Sequence, residues 1–208
     1  MEKRYFTARK VAVIGILTAI SYVLYLLPKI IPIFKLPFFP PWLEIQISDL
    51  PAMLGGFALG SVASVIILAV KCLLKLPFTS SSGIGELADF LIGVAFVLPG
   101  AIIYKKNKTK KSAVIGMLIG SLTATLTGVL ANRLILIPFY AWFYGNGEYA
   151  QGMALLTKLV SSLYKGVTTD NFYVYYLLCA VVPFNLLRCV ISAGITYFTY
   201  KPLSKFLH

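Results

Sequence analysis

The stretch VYYLLCAVVPFNLLRCVISAGITYFTY, Val174 to Tyr200, decides the fold class. It is longer than the ~20 apolar residues a helix needs to cross a bilayer. Its single charge is Arg188: none precedes it back to Asp170, and none follows until Lys201. An ionisable group inside such a span costs about 2.5–3.5 kcal/mol on insertion scales and points to function. Pro183 suits the first turn of a helix, which puts Arg188 early in that helix, where the macrodipole disfavours a cation. Asn185, three residues earlier, shares its face. Arg188 is therefore expected to meet either a polar ligand or the backbone carbonyls of a neighbouring helix.

The rest of the chain repeats this character. Its 208 residues are 59% hydrophobic, with mean hydropathy +0.84, against about 45–50% apolar in a soluble domain. This predicts one all-α integral membrane domain, 1–208, with helices at 8–27, 48–59, 61–76, 86–104, 112–143 and 174–200. The first helix follows Lys3, Arg4, Arg9 and Lys10 but leads into Leu27-Pro28-Lys29, not a small-residue cleavage site, so it reads as retained. Between helices 1 and 2, residues 28–46 carry Pro28, Pro32, Pro37, Pro40 and Pro41 with Phe34, Phe38, Phe39 and Trp42. So many prolines exclude a helix interior and predict an extended outer loop, either a lid or an interfacial anchor. Pro138 is expected to bend or end the fifth helix, and residues 150–164 read as an amphipathic stretch in an outer loop.

The net charge of +12 follows topology. The N-terminal cations, the block Lys105, Lys106, Lys108, Lys110 and Lys111, and the pair Lys201 and Lys205 all fall on one side. The positive-inside rule makes that side cytoplasmic, with both termini. A polybasic loop can touch anionic membrane lipid; no feature calls for nucleic acid. Glu44, Asp49, Glu86, Asp89, Glu148 and Asp170 fall toward the opposite side.

Several chemistries lack their residues. His208, the final residue, is the single histidine, and Cys72, Cys179 and Cys189 are scattered; neither a metal site nor a histidine-dependent triad is expected. A nucleotide-binding glycine loop is missing. A lipid-acting enzyme would need Glu86 and Asp89 as its acid/base pair without a histidine partner. A passive anion filter would need Arg133 and Arg188 in a ring.

What the chain does contain is polar groups at one depth: Gln46, Asp49, Glu86, Asp89, Asn132, Asn185 and Arg188. Gly83 and Gly85 precede Glu86 and would let backbone amides approach a ligand, with Ser81 or Ser82 as the helix cap. Lys71 faces either this pocket or a counter-charge. Such a pocket, floored with aromatics, suits a polar aromatic small molecule. Small residues recur at four-residue spacing, Gly15/Ala19, Gly56/Gly60 and Gly116/Gly120, as they do where helices approach closely. On the first helix the pair forms either bundle packing or a docking face.

Four strings carry a family resemblance: Leu43-Glu-Ile-Gln-Ile-Ser-Asp-Leu-Pro-Ala52, Gly83-Ile-Gly-Glu-Leu-Ala-Asp-Phe-Leu-Ile-Gly93, Asn132 with Pro138-Phe-Tyr140, and Pro183-Phe-Asn-Leu-Leu-Arg188. Across nearly its whole length the chain resembles the substrate-binding S components of energy-coupling factor (ECF) vitamin transporters, within them the riboflavin-specific RibU group. The resemblance implies a six-helix protein, not an enzyme and without a cofactor of its own, that captures riboflavin at the outer face. A transmembrane T subunit and two cytoplasmic ATPases would be its partners, with Gly15 and Ala19 docking on the T subunit. ATP hydrolysis elsewhere would topple the S component to present the pocket inward, and loop 28–46 would gate it. Asn132, Asn185 and Arg188 would bond the flavin, with Leu43, Gln46 and the 83–86 backbone lining the pocket. Arg188 and Asp89 stand where the family often has lysine and asparagine, and a planar guanidinium is not equivalent to a point charge. FMN, or another vitamin or precursor, is the alternative ligand.

Overall fold

A computed structural model describes residues 7–31, 34–79 and 81–207, with side chains through Tyr200. Lys3, Arg4, Pro32, Ser80, the side chains of Lys201 and Lys205, and His208 lie outside the described residues. Among the described residues every regular element is helical: α1 Ala8–Ile30, α2 Leu50–Leu59, α3 Ser61–Lys75, α4 Ile84–Lys106, α5 Lys110–Ala131, α6 Ile137–Tyr144, α7 Tyr149–Ser161, α8 Phe172–Tyr175 and α9 Val182–Leu207. A π turn, Asn132–Leu136, joins α5 to α6, and a second, Tyr176–Val181, joins α8 to α9. Five helical runs are long and apolar enough to span a bilayer, which makes this a multi-pass membrane protein: Ala8–Ile30, Ser61–Phe78, Ile84–Lys106, Lys110–Tyr144 and Phe172–Tyr200.

The second predicted helix, α2, has 10 residues, about 15 Å of rise at ~1.5 Å per residue. The chain leading into it is buried as well. Leu43, Ile45, Ser48 and Asp49 are buried within the bundle, so the second half of loop 28–46 dips inward and does not lie wholly on the surface. Its first half also differs from expectation, because α1 runs through Pro28 to Ile30. A proline one residue short of the C-terminal turn removes just one intrahelical bond there.

Prolines inside the spans are tolerated because neighbours take up the freed carbonyls. Pro99 lies within α4, and the carbonyl four residues before it, Ala95 O, accepts from Thr123 Oγ1 at 2.6 Å. Pro183 frees Cys179 O, which lies 3.3 Å from the Tyr164 hydroxyl and shares its proton with Phe38 O at 2.8 Å. Pro138 does not end the fifth helix. The π turn at 132–136 widens the spiral just before it, and the run reaches Tyr144. Pro183 likewise does not start a helix, so Arg188 sits well inside a continuous run from Phe172. The macrodipole argument fails there, and a different group must compensate the cation.

α4 and α5 form the closest pair. A Cβ at Gly116 would lie 2.9 Å from the Gly100 Cα, and one at Gly120 would overlap the Phe96 carbonyl. Gly56 is equally enclosed, 2.9 Å from the Ala101 Cβ. Gly15 differs: it is exposed, with no atom within 4 Å of a Cβ built there, and Ala19 is exposed beside it.

Lys10, Gly60, Lys105 and Lys108 line one cavity, and Tyr200 packs on Phe57 and Tyr104. The start of α1, the α2–α3 turn, the α4–α5 turn and Tyr200 in α9 therefore share one end of the bundle. Lys29, Lys35, Lys75, Ser81 and Tyr144 gather at the other. Two apolar cores fill the two halves. Ala88 and Phe184 belong to the one near Lys29, Ile92 and Cys189 to the one near Gly60. Asp89 and Arg188 fall between them.

Candidate functional site

Four buried charges occupy the layer between the cores. Asp49 immediately precedes α2, Lys71 comes from α3, Asp89 from the second turn of α4 and Arg188 from α9. Lys71 Nζ lies 2.6 Å from Asp49 Oδ1 and 3.3 Å from Asp89 Oδ2; Arg188 Nη2 lies 2.5 Å from Asp49 Oδ2 and 2.7 Å from Asp89 Oδ1. Cations and carboxylates alternate around a closed ring of zero net charge. Ion pairs this deep survive only when each charge is compensated. Lys71, which is 0% exposed, also donates to Ser48 Oγ at 2.8 Å. The partner of Arg188 is therefore carboxylate, not the backbone carbonyl of a neighbouring helix, and the counter-charge reading of Lys71 holds.

Arg188 and Asp89 also form the floor of a cavity of about 90 Å³, together with Leu43, Gln46, Gly85, Asn132 and Asn185. This inner space shares Trp42, Glu44, Gln46, Gly85 and Tyr140 with an outer one of about 340 Å³. The shared wall makes one funnel, of a size that suits a small-molecule site of ~300–1,000 Å³. Its aromatic walls are Trp42 and Tyr140, with ring centroids 6.4 Å apart, and Phe184, edge-on to Phe39 at 5.4 Å.

The two π turns meet behind this wall. Tyr176 O–H donates to Asn132 Oδ1 at 2.7 Å, and Trp42 Nε1–H donates to the Tyr176 hydroxyl at 2.9 Å. Asn132 Nδ2 donates to Gly128 O at 2.8 Å. Asn185 Nδ2 donates to Val181 O at 2.9 Å, but its Oδ1 is buried without a partner. An unpaired buried acceptor at a cavity wall is rare enough to need a reason. Asn185 fits because residue 128 is glycine: a Cβ there would lie 2.6 Å from Asn185 Nδ2.

Glu86 serves the rim. Its Oε2 accepts from Thr79 Oγ1 at 2.7 Å and Ser81 Oγ at 3.1 Å, and its Oε1 lies 3.8 Å from Lys75 Nζ. The N-cap of α4 is Gly83 and neither serine; Ser81 Oγ accepts from Gly85 N–H in its first turn at 3.0 Å, and Ser82 takes a left-handed turn position with φ 52°. Glu86 and Asp89 thus have separate partners and form no acid/base pair. Gly83, also left-handed at φ 87°, lines an apolar groove between α3 and α4 that meets the funnel at Glu86. Asp49 lies behind the funnel floor and touches it through Arg188. Arg133 is exposed and stacks 3.6 Å from the Tyr173 ring centroid. No common anion filter joins it to Arg188.

Residues 9–200 match the family described as ECF transporter, substrate-specific component. The chain belongs to that family.

The S component is similar to curated proteins of the same length class. It is 27% identical over 199 residues to "Riboflavin transporter RibU" of Staphylococcus aureus, covering 96% of this chain and 92% of that one. It is 30% identical over 204 residues to "Riboflavin transporter RibU" of Streptococcus thermophilus, covering 96% and 84%. It is 29% identical over 158 residues to "Riboflavin transporter FmnP" of Bacillus subtilis, covering 74% and 80%. A solved structure described as "Structure and mechanism of the S component of a bacterial ECF transporter" superposes with TM-score 0.68 at 28% identity, covering 95% of this chain and 96% of that one. The family is one of transporter components, which sets the enzyme reading aside.

Sequence reasoning left several residues of this S component's funnel without a role, Tyr140 among them. Trp42 appeared as a loop aromatic, yet it sits in both cavities. Glu44 and Phe184 carried no signal, since an acid in a loop and a phenylalanine in an apolar span are ordinary. Lys71 did carry one, a lone charge in an apolar span like Arg188, but its direction depended on which helix lay opposite.

Proposed function

We propose that this protein is the riboflavin-binding S component of an ECF importer, taking the vitamin into the funnel from the outer face. The observation that carries the reading is the unpaired Asn185 Oδ1 beside Arg188 on the floor of an aromatic-walled cavity. An imide edge presents N–H between two carbonyls. Asn185 Oδ1 would accept from that N–H, and Arg188, with five N–H donors in a fixed fork, would serve a flanking carbonyl. The ring system would lie against Trp42, Tyr140 and Phe184. Leu43, Gln46, Gly85 and Asn132 would complete the wall, Glu86 the rim, and Asp49 and Asp89 would hold Arg188. Gly83 would act through the cap of α4. No cofactor is involved.

The transport cycle follows from the family. The six traverses, α2 with its inward-dipping lead-in counted as one, would put both termini at the lysine-rich cytoplasmic end. Gly15 and Ala19 present an open face on α1, suited to close docking of the T subunit, through which two ATPases would drive toppling. The chain before α2, tied to Tyr164 through Phe38 O at 2.8 Å and to Tyr176 through Trp42, would gate the funnel.

A second reading is FMN. Lys29, Lys35 and Lys75 at the mouth outnumber Glu44 and Glu86, an excess that suits a phosphate.

The test is to purify the chain alone in mild detergent, record its visible absorption and identify any extracted ligand by mass spectrometry. A yellow preparation releasing riboflavin is expected. A colourless one that fails to quench added riboflavin overturns the assignment, and quenching by FMN in preference to riboflavin selects the second reading.

A further inference from the structure

Lys71 lines neither part of the funnel, yet it is one of the two cations in the charged ring beneath it. Each carboxylate bridges both cations. Asp49 gives Oδ1 to Lys71 and Oδ2 to Arg188; Asp89 gives Oδ2 to Lys71 and Oδ1 to Arg188. Both approaches of Arg188 are made by Nη2. Its Nε and Nη1 donate to no described residue, while the residue itself lines the inner cavity. One nitrogen therefore serves two acids, and the other N–H groups stay available to a ligand.

This economy depends on the lysine. Remove its charge and the buried ring holds two carboxylates against one cation. The nearest other cation, Lys75, is committed to the Tyr25 ring face at 3.6 Å and to Glu86 at 3.8 Å. The group able to turn further donors toward Asp49 and Asp89 is then the guanidinium, whose planar fork would rotate its free N–H groups out of the funnel.

We propose that Lys71 is a positioning residue for ligand recognition: by holding the far oxygens of Asp49 and Asp89, it reserves Nε and Nη1 of Arg188 for the carbonyl edge of the ligand. This rests on the reading that Arg188 meets the imide edge of a flavin, and the experiment separates the two.

Affinities for riboflavin and for its analogue with sulfur in place of both carbonyl oxygens flanking the imide nitrogen are measured by fluorescence quenching on the purified protein, Lys71→Met, and Lys71→Met/Asp49→Asn. Sulfur is a weaker acceptor than oxygen, so the exchange weakens the contacts with Arg188 and leaves the imide N–H that meets Asn185, and the ring faces, in place. The wild type is expected to prefer riboflavin by tenfold or more, the scale of one hydrogen bond to a charged group. Lys71→Met is expected to lose most of that preference. The double variant, which restores one cation against one carboxylate beneath the funnel, is expected to regain it. A wild type that binds both flavins alike overturns the edge-on reading itself. A wild-type preference retained in Lys71→Met overturns the positioning role, because a merely structural lysine would weaken both ligands equally. If Lys71→Met does not fold, the double variant decides: loss of the preference despite balanced charge overturns the proposal.

Discussion

Arg188 and Asp49 lie 139 residues apart in sequence and 2.5 Å apart in space, joining the last helix to the start of α2. Asp49 also holds Lys71 at 2.6 Å. One carboxylate thus ties three elements at the depth where the two apolar cores separate, and the strength of that tie can be measured.

Asp49→Asn leaves two buried cations facing one carboxylate. Breaking a buried pair from one side costs about 3–5 kcal/mol. A large fall in melting temperature in detergent is expected by scanning fluorimetry. Lys35→Ala removes the loop pair with Glu44, 3.1 Å long with the lysine side chain 50% exposed, and is expected to change stability by less than about 1 kcal/mol. Equal effects would contradict the central role of the ring.

Gly128→Ala places a methyl group 2.6 Å from Asn185 Nδ2 and 2.9 Å from its Cγ. The amide must move, and with it the open acceptor Oδ1. Riboflavin titration is expected to show affinity reduced by about tenfold or more, the scale of one lost hydrogen bond of ~1.5 kcal/mol. Unchanged affinity would mean that Asn185 is not a ligand contact.

Trp42→Phe keeps an aromatic wall but removes the N–H donor to Tyr176, whose own hydroxyl reaches Asn132. A loss of about 0.5–1.5 kcal/mol is expected for one such bond. Trp42→Ala also removes the stacking face, so isothermal titration should show a clearly larger loss for alanine than for phenylalanine.

Gly15→Trp and Ala19→Trp enlarge a face of α1 that is exposed among the described residues. Flavin binding by the isolated protein is expected to stay at the wild-type level. Uptake by cells that also produce the T subunit and ATPases is expected to fall severalfold or more. Impaired binding instead would place this face inside the functional bundle and remove the docking assignment.

Much of this arrangement is legible in the residues. The long apolar spans place their helices because a bilayer requires about 20 such residues and internal satisfaction of every backbone bond. Arg188 announces itself by being a charge where charges are costly, and Lys71 does the same. The turn between α2 and α3 reads from Gly60, whose φ of 102° suits glycine.

Other features depend on neighbours that the local pattern does not encode. Pro138 and Pro183 look like helix boundaries, but π turns and the hydroxyl of Tyr164 absorb them. Gly83 and Gly85 look alike in sequence, yet one lines an apolar groove and the other the funnel. The pairs Gly15/Ala19 and Gly116/Gly120 share their spacing. One faces outward and the other is filled by α4, because small residues permit close approach without stating which helix approaches.

The sequence by itself determined that this is a helical membrane protein with lone charges inside its apolar spans, because burial in lipid constrains length and charge locally, residue by residue. The tertiary structure alone decided that Asp49, Lys71, Asp89 and Arg188 close into one neutral ring, that Trp42 and Tyr140 wall the funnel above it, and that Asn185 keeps an open acceptor. Those outcomes depend on which helices pack together and on the distances between side chains far apart in the chain. Charge compensation and hydrogen bonding act over only a few ångströms, so packing has to bring the partners within range before either can operate.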